Sequence, residues 1–116
     1  MFDEAVQDLL TRCPGSRAAA IVAPDGIPVV AEPSISEMEL LGAELANIVR
    51  EMEQSGQELH HGRLQQFVVE AENAQVLLTT MSEGYFLLML LDSDAIIGRA
   101  KFVCRVAGER LRSEFL

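Results

Sequence analysis

AAAIVAPDGIPVVA, residues Ala18–Ala31, is the stretch of this sequence that decides the fold. Two short apolar runs flank the pair Asp25-Gly26, which tolerates the positive φ that a tight hairpin turn needs. Pro28 lies inside the second run, where it has no N–H to donate to a neighbouring strand. The stretch therefore predicts a β-hairpin whose second strand lies at an edge of the sheet.

Three helices are predicted around this hairpin. Apolar residues at helical spacing begin near the N-terminus and stop at Pro14-Gly15. The second helix is predicted to begin with Ser36 as its N-cap and Glu39 at the capping-box position, and to end at Gly56. The third helix follows the segment Asp92–Asp94, whose side chains are suited to cap it.

Three further strands are predicted between the second and third helices, at Leu64–Glu70, Val76–Met81 and Tyr85–Leu91. The last is apolar throughout, which is typical of a central strand covered on both faces. The first begins and ends with polar residues, which favours an edge position. The predicted order is α-β-β-α-β-β-β-α, an α/β (α+β) fold with a five-stranded, mostly antiparallel sheet of order 2-1-5-4-3 and helices on both faces.

Length and composition indicate one cytoplasmic domain spanning residues 1–116. The longest apolar run is too short to cross a bilayer, so we expect no direct membrane insertion. The two cysteines, Cys13 and Cys104, fall on apolar helix stripes and are predicted to be buried free thiols.

The charge pattern argues against nucleic acid as a partner. The chain has 18 acidic and 9 basic residues, and its net charge of −9 repels polyanions. Five basic residues fall in the last predicted helix, and we interpret them as cations that favour a helix C-terminus. They are Arg99, Lys101, Arg105, Arg110 and Arg112.

No motif predicts catalysis. His60-His61 is an adjacent pair whose side chains point apart in an extended segment, and no array of cysteines or carboxylates accompanies it. No glycine-rich loop opens a helix, and no nucleophile has an evident base. We therefore expect no catalytic residue, metal or cofactor, and no hydrolase activity of the chain itself.

The order of elements resembles the roadblock/dynein light-chain family. The resemblance is carried by the hairpin VAPDGIPV at Val22–Val29, by Gly62 before the three-stranded meander, by Tyr85–Leu91 and by the closing helix. It implies a roadblock/profilin-like sandwich that forms dimers. Family members regulate or scaffold Ras-like GTPases, or belong to motor and trafficking assemblies. The bacterial branch includes the partner and activator of the GTPase that sets polarity in gliding bacteria.

The second predicted helix carries two rows that favour a homodimer. One row is the predicted core stripe, and beside it Gly42, Ala46 and Val49 have side chains small enough for another helix to approach. The alternative is a wide core face, with small residues where the sheet crowds the helix. The edge strand adds a backbone that a second copy can extend. The core stripe is Met38, Leu41, Leu45, Ile48 and Met52. The predicted dimer interface is Gly42, Ala46, Val49, Leu64, Gln65, Gln66, Phe67, Val68 and Val69.

The outer side of the same helix is the predicted partner surface. It is acidic, with one apolar residue, and an acidic surface suits a basic patch on a GTPase. Arg50 and Arg63 are candidates for an arginine that enters a GTPase site. The predicted partner-binding residues are Leu40, Glu44, Asn47, Arg50, Glu51 and Gln54. Phe102 and Val106 lie off the apolar stripe of the last helix. They are predicted to contact the first helix, and the alternative is a partner surface that they form with Arg99 and Arg105.

These patterns favour a homodimeric regulatory module that binds a small Ras-like GTPase and regulates or localises it. A scaffold subunit of a motor, trafficking or polarity complex, without effect on GTP hydrolysis, is the alternative. A small-molecule sensor on a profilin-like sheet is a third hypothesis, for which no convergent polar cluster is evident.

Overall fold

The computed structural model describes residues 2–115, so Met1 and Leu116, the ends of the predicted domain, lie outside the described residues. Three helices and five strands alternate in the predicted order. They are α1 (Phe2–Arg12), β1 (Ser16–Val22), β2 (Pro28–Glu32), α2 (Ser36–Glu58), β3 (Gln66–Glu70), β4 (Gln75–Thr80), β5 (Phe86–Leu91) and α3 (Ile97–Arg112), followed by a 3₁₀ turn (Ser113–Phe115).

The strands form one antiparallel sheet of order β2-β1-β5-β4-β3, as predicted. The central strand β5 pairs with β1 on one side and β4 on the other, and Leu88 is opposite Ala20 and Leu78. All six residues of β5 are buried, which explains why its sequence shows no polar alternation. Pro28 begins β2 at one edge of the sheet, where its missing N–H leaves no ladder bond unmade.

The β1–β2 turn is longer than the predicted two-residue turn. The Gly26 N–H donates to the Ala23 carbonyl at 2.8 Å, and the Ala23 N–H donates to the Ile27 carbonyl at 3.0 Å. Pro24 and Asp25 therefore lie at the centre of the turn. Gly26 follows them with a φ of +89°, a conformation that glycine adopts without strain.

The sheet separates two hydrophobic clusters. Leu87, Met89 and Leu91 of β5 point to the side of α1 and α3, while Leu88 and Leu90 point to the side of α2. On the first side, α1 packs mainly on β1 and β2 and α3 mainly on β4 and β5. On the second side, α2 alone packs mainly on β1 and β2. Helices cover both faces, as predicted, but unequally.

Side-chain capping was predicted wrongly for two helices. Ser36 is the first residue of α2, and the N-cap is Ile35, which makes no side-chain cap hydrogen bond. Similarly, Ile96 is the N-cap of α3 and makes no such bond. The predicted capping residue Asp92 instead accepts a hydrogen bond from Arg17 Nε at 2.6 Å. Asp92 therefore forms an ion pair with Arg17 of β1 instead of capping α3.

The end of α2 also differs from the prediction. Gly56 lies inside the helix, which continues to Glu58. A Cβ at Gly56 would lie 2.6 Å from the Gly62 carbonyl oxygen, and the His61 N–H donates to the Gly56 carbonyl at 2.8 Å. Glycine is needed here because the following loop folds back against the helix.

Candidate functional surface

The inner face of α2 is built from small residues that rest on the sheet. Gly42, Ala46 and Val49 are buried in the same cluster region as Met38 and Leu45. A Cβ at Gly42 would lie 2.7 Å from the Gly26 carbonyl oxygen, so the helix backbone meets the β1–β2 turn directly. The three small residues predicted for the dimer interface thus face their own sheet rather than a second helix.

A second side of α2 carries what we term the apolar row: Leu41, Ile48 and Met52 of the helix and Leu59, its C-cap residue. Three of these side chains are exposed, Ile48 by 41%, Met52 by 47% and Leu59 by 61%, whereas Leu41 is half-buried. At 100° per residue the four lie on one line beside the inner face. The prediction of Ile48 and Met52 as core residues is therefore wrong. The sequence did contain a signal for this exposed row, because the apolar residues of α2 cover a wider arc than packing on the sheet requires.

The apolar row lies on the β3 side of α2. A cavity of about 440 Å³ adjoins the turn residues and Ala43 on the β2 side, whereas a second cavity, of about 410 Å³, separates the end of α2 from the approach to β3. Met52 and Leu59 line the second cavity together with Leu64 and Gln65. The apolar row and the start of the edge strand are thus neighbours in the fold.

β3 is the second edge of the sheet, as its polar ends predicted. Within residues 2–115 it pairs with β4 alone. Its side chains alternate: Phe67 packs on the α2 side and Val68 on the α1/α3 side, while Val69 is 43% exposed. Of the residues predicted for strand addition, Gln66–Val69 lie in this edge strand, whereas Leu64 and Gln65 precede its first residue.

The outer face of α2 carries all six residues predicted to bind a partner. Leu40 is 65% exposed, and the other five are exposed as well. Arg50 is not free, because its guanidinium donates to the Pro24 carbonyl at 3.1 Å and to the Asn47 side-chain oxygen. Arg63 likewise donates to the Met81 carbonyl at 3.4 Å. Both candidate arginines are tied to their own chain.

The histidine pair and the two cysteines are not part of a catalytic or metal-binding cluster among the described residues. His60 and His61 are exposed, and no three His, Cys, Asp or Glu side chains among the described residues are grouped to hold a metal. Cys13 and Cys104 are buried and free, and burial raises the pKa of both thiols, that of Cys104 to about 12. Among the helices described, none is long and apolar enough to cross a membrane. Phe102 and Val106 are exposed on α3.

A family model of the Roadblock/LC7 domain matches residues 2–91. The chain belongs to the Roadblock/LC7 family. This confirms the resemblance seen in the sequence. The Roadblock/LC7 match ends with β5, so α3 lies outside the matched segment.

Several known proteins are similar to this Roadblock/LC7 chain over nearly its whole length. It is 25% identical over 116 residues to uncharacterized protein MJ1340 of Methanocaldococcus jannaschii, covering 99% of this chain and 100% of that protein. The structure matches a Roadblock/LC7 domain from Streptomyces avermitilis with a TM-score of 0.87 at 17% identity, covering 97% and 96% of the two chains. It matches the gliding protein mglB of Thermus thermophilus with a TM-score of 0.83 at 20% identity, covering 95% and 84%. The two structural matches establish a shared fold.

Proposed function

We propose that this chain forms a homodimer that binds a small Ras-like GTPase and regulates or localises it. Membership of the Roadblock/LC7 family supports this class of function. The single observation that carries the proposal is the arrangement of α2. Its apolar row lies next to an unpaired strand edge, and its charged outer face is exposed.

The dimer follows from the uncovered part of the sheet. α2 packs mainly on β1 and β2. The residues of β5 and β4 on that face are buried as well, so the part left open is at β3, where Val69 is 43% exposed. A second copy that adds its β3 to this β3 would continue the sheet and bring its own α2 alongside. The apolar rows of the two helices, centred on Ile48 and Met52, would then pack together. Leu64–Val69 remain in the proposed interface, while the inner-face residues support it from beneath.

The partner surface follows from the outer face of α2. Glu44 and Glu51 are seven residues apart, which places their carboxylates on one side of the helix two turns apart. Paired helices in the dimer would double this acidic surface around Leu40. A surface of this charge attracts a basic patch on a GTPase and accelerates the encounter.

The bound arginines bear on how a GTPase would be affected. Arg50 holds the β1–β2 turn and Arg63 holds the carbonyl after β4. Releasing either one would break the hydrogen bonds that its guanidinium makes to its own chain. We therefore infer that any effect on hydrolysis arises by positioning the GTPase's own switch elements, not by an inserted arginine.

Charge reversal tests the partner surface. In Glu44→Lys with Glu51→Lys, binding to a GTP-loaded small GTPase from the same organism is expected to weaken roughly tenfold or more, equal to about 1.4 kcal/mol. The matched control is Glu4→Lys with Glu114→Lys, which makes the same change in net charge at exposed sites away from α2. Biolayer interferometry measures binding, and sedimentation confirms that each variant keeps the oligomeric state of the parent.

Each result of this experiment has a consequence. Equal loss in both double variants would mean that net charge, not the outer face of α2, guides binding. Undiminished binding in Glu44→Lys with Glu51→Lys would move the contact to another face, with Phe102 and Val106 next. A dimer that binds no such GTPase would favour the scaffold function instead.

A further inference from the structure

A polar cleft lies on the sheet face opposite α2, between the approach to β3 and the second half of α3. Its volume is about 200 Å³. Three arginines from two distant parts of the sequence meet there, although the sequence alone assigned two of them to the helix dipole. The side chains that matter are Arg63, Gln66, Thr79, Arg105, Glu109 and Arg112.

The floor of the cleft is fixed by hydrogen bonds. The Gln66 amide donates to the Thr79 hydroxyl oxygen and to the Lys101 carbonyl, both at 2.9 Å. Its carbonyl oxygen is thereby turned toward Arg105, whose guanidinium donates to it at 2.8 Å. The position of the Arg105 guanidinium is thus set before any ligand arrives, which lowers the entropic cost of binding.

The guanidinium of Arg112, which lines the cleft, is held only weakly by its own chain. Its Nε is buried and has no hydrogen-bond partner among residues 2–115. The nearest carboxylate in an ion pair is that of Glu109, whose oxygen is 3.9 Å from a terminal nitrogen of Arg112. The Arg112 side chain is 41% exposed, and this long ion pair leaves its terminal nitrogens able to turn to an acceptor in the cleft.

The charge of the cleft contrasts with that of the whole chain. Three of the nine basic residues line it, and Glu109 offsets only one of them. The chain as a whole is strongly acidic, with a net charge of −9. A guanidinium group can donate two parallel hydrogen bonds to the oxygens of a phosphate. Three arginines line the cleft, and the single carboxylate of Glu109 can neutralise only one of them.

We propose that this cleft binds the phosphate group of a small phosphate monoester. The doubly charged group would accept hydrogen bonds from the terminal guanidinium nitrogens of Arg112, Arg105 and Arg63. The proposal is independent of the GTPase partner, since the cleft and the outer face of α2 are on opposite faces of the sheet. Gln66 faces α3 with its side chain, so strand addition through the β3 backbone leaves this contact in place.

Calorimetric titration with glycerol 3-phosphate, at constant ionic strength set by sodium chloride, tests the site. Wild-type protein is expected to bind, and Arg112→Gln and Arg105→Gln are each expected to weaken binding about tenfold through loss of charge-assisted hydrogen bonds. The matched control is Arg110→Gln, an exposed arginine of the same helix that does not line the cleft. It is expected to bind as wild type does. Circular dichroism verifies that the variants are folded.

Several outcomes would overturn the proposal. Heat no greater than that of sodium chloride alone would mean that the cleft binds no phosphate. Equal weakening in Arg110→Gln would show diffuse attraction rather than a site. Inorganic phosphate and vesicles containing phosphatidic acid distinguish the sources of the group. Binding of glycerol 3-phosphate supports the proposal, whereas binding of inorganic phosphate alone or of vesicles alone overturns it.

Discussion

The two faces of the sheet are covered to different extents. On one face, α1 and α3 lie side by side over β1, β2, β4 and β5. On the other, α2 alone lies over β1 and β2 and leaves its apolar row exposed toward β3. The central strand is equally buried from both sides. The difference therefore lies at the β3 side of the α2 face, where we propose that a second copy completes the layer.

Removing core volume from each face gives the largest expected effects. Leu88 is fully buried on the α2 side and Leu87 is 1% exposed on the other side. Each change to alanine is expected to lower the free energy of unfolding by about 2–5 kcal/mol, since a cavity remains in a packed core. Urea denaturation measures both. A wild-type midpoint for Leu88→Ala would mean that the α2 face is not a true core.

A matched glycine pair probes how closely α2 rests on the sheet. Gly42→Ala places a methyl group 2.7 Å from the Gly26 carbonyl oxygen, and it is expected to cost about 1–3 kcal/mol through overpacking. Gly98→Ala in α3 meets nothing within 4 Å, and it is expected to stabilise by up to about 1 kcal/mol because alanine favours helix. Thermal unfolding compares the two. Equal effects would contradict the close contact at Gly42.

The buried thiol on the α1/α3 side predicts an effect that appears only at alkaline pH. Burial raises the pKa of Cys104 from 9.0 to about 12, so the unfolded chain loses this proton first as pH rises. Stability from this group is complete below pH 9 and falls between pH 9 and 12, by at most about 1.4 kcal/mol per pH unit. Cys104→Ala is expected to flatten that fall. An identical pH dependence in the variant would refute the assignment.

The sequence predicted the sheet well because its signals were strong and local. Pro28 fixed one edge, the polar ends of β3 indicated the other, and the unbroken apolar run of β5 required the centre. Each of these signals fixes the position of a single strand in the sheet. The strand order follows from them with few alternatives.

The faces of α2 were harder to predict because two apolar rows lie side by side. Size suggested that Leu41, Ile48 and Met52 face the core, but the backbone contact between Gly42 and Gly26 brings the small row onto the sheet. That contact joins two distant turns of the chain and leaves no periodic signal. The arginine cleft was missed for the same reason, since Arg63 and Arg112 meet only in the folded chain.

The mass of the protein in solution tests the central claim most directly. Sedimentation equilibrium at micromolar concentration is expected to give twice the 12.7 kDa chain mass. Ile48→Glu with Met52→Glu is expected to give folded monomer, since it places charge in the apolar row. Ile96→Glu, at a residue 76% exposed beside α3, is expected to remain dimeric. A monomeric wild type, or a dimer that survives both charges in the apolar row, would contradict the account.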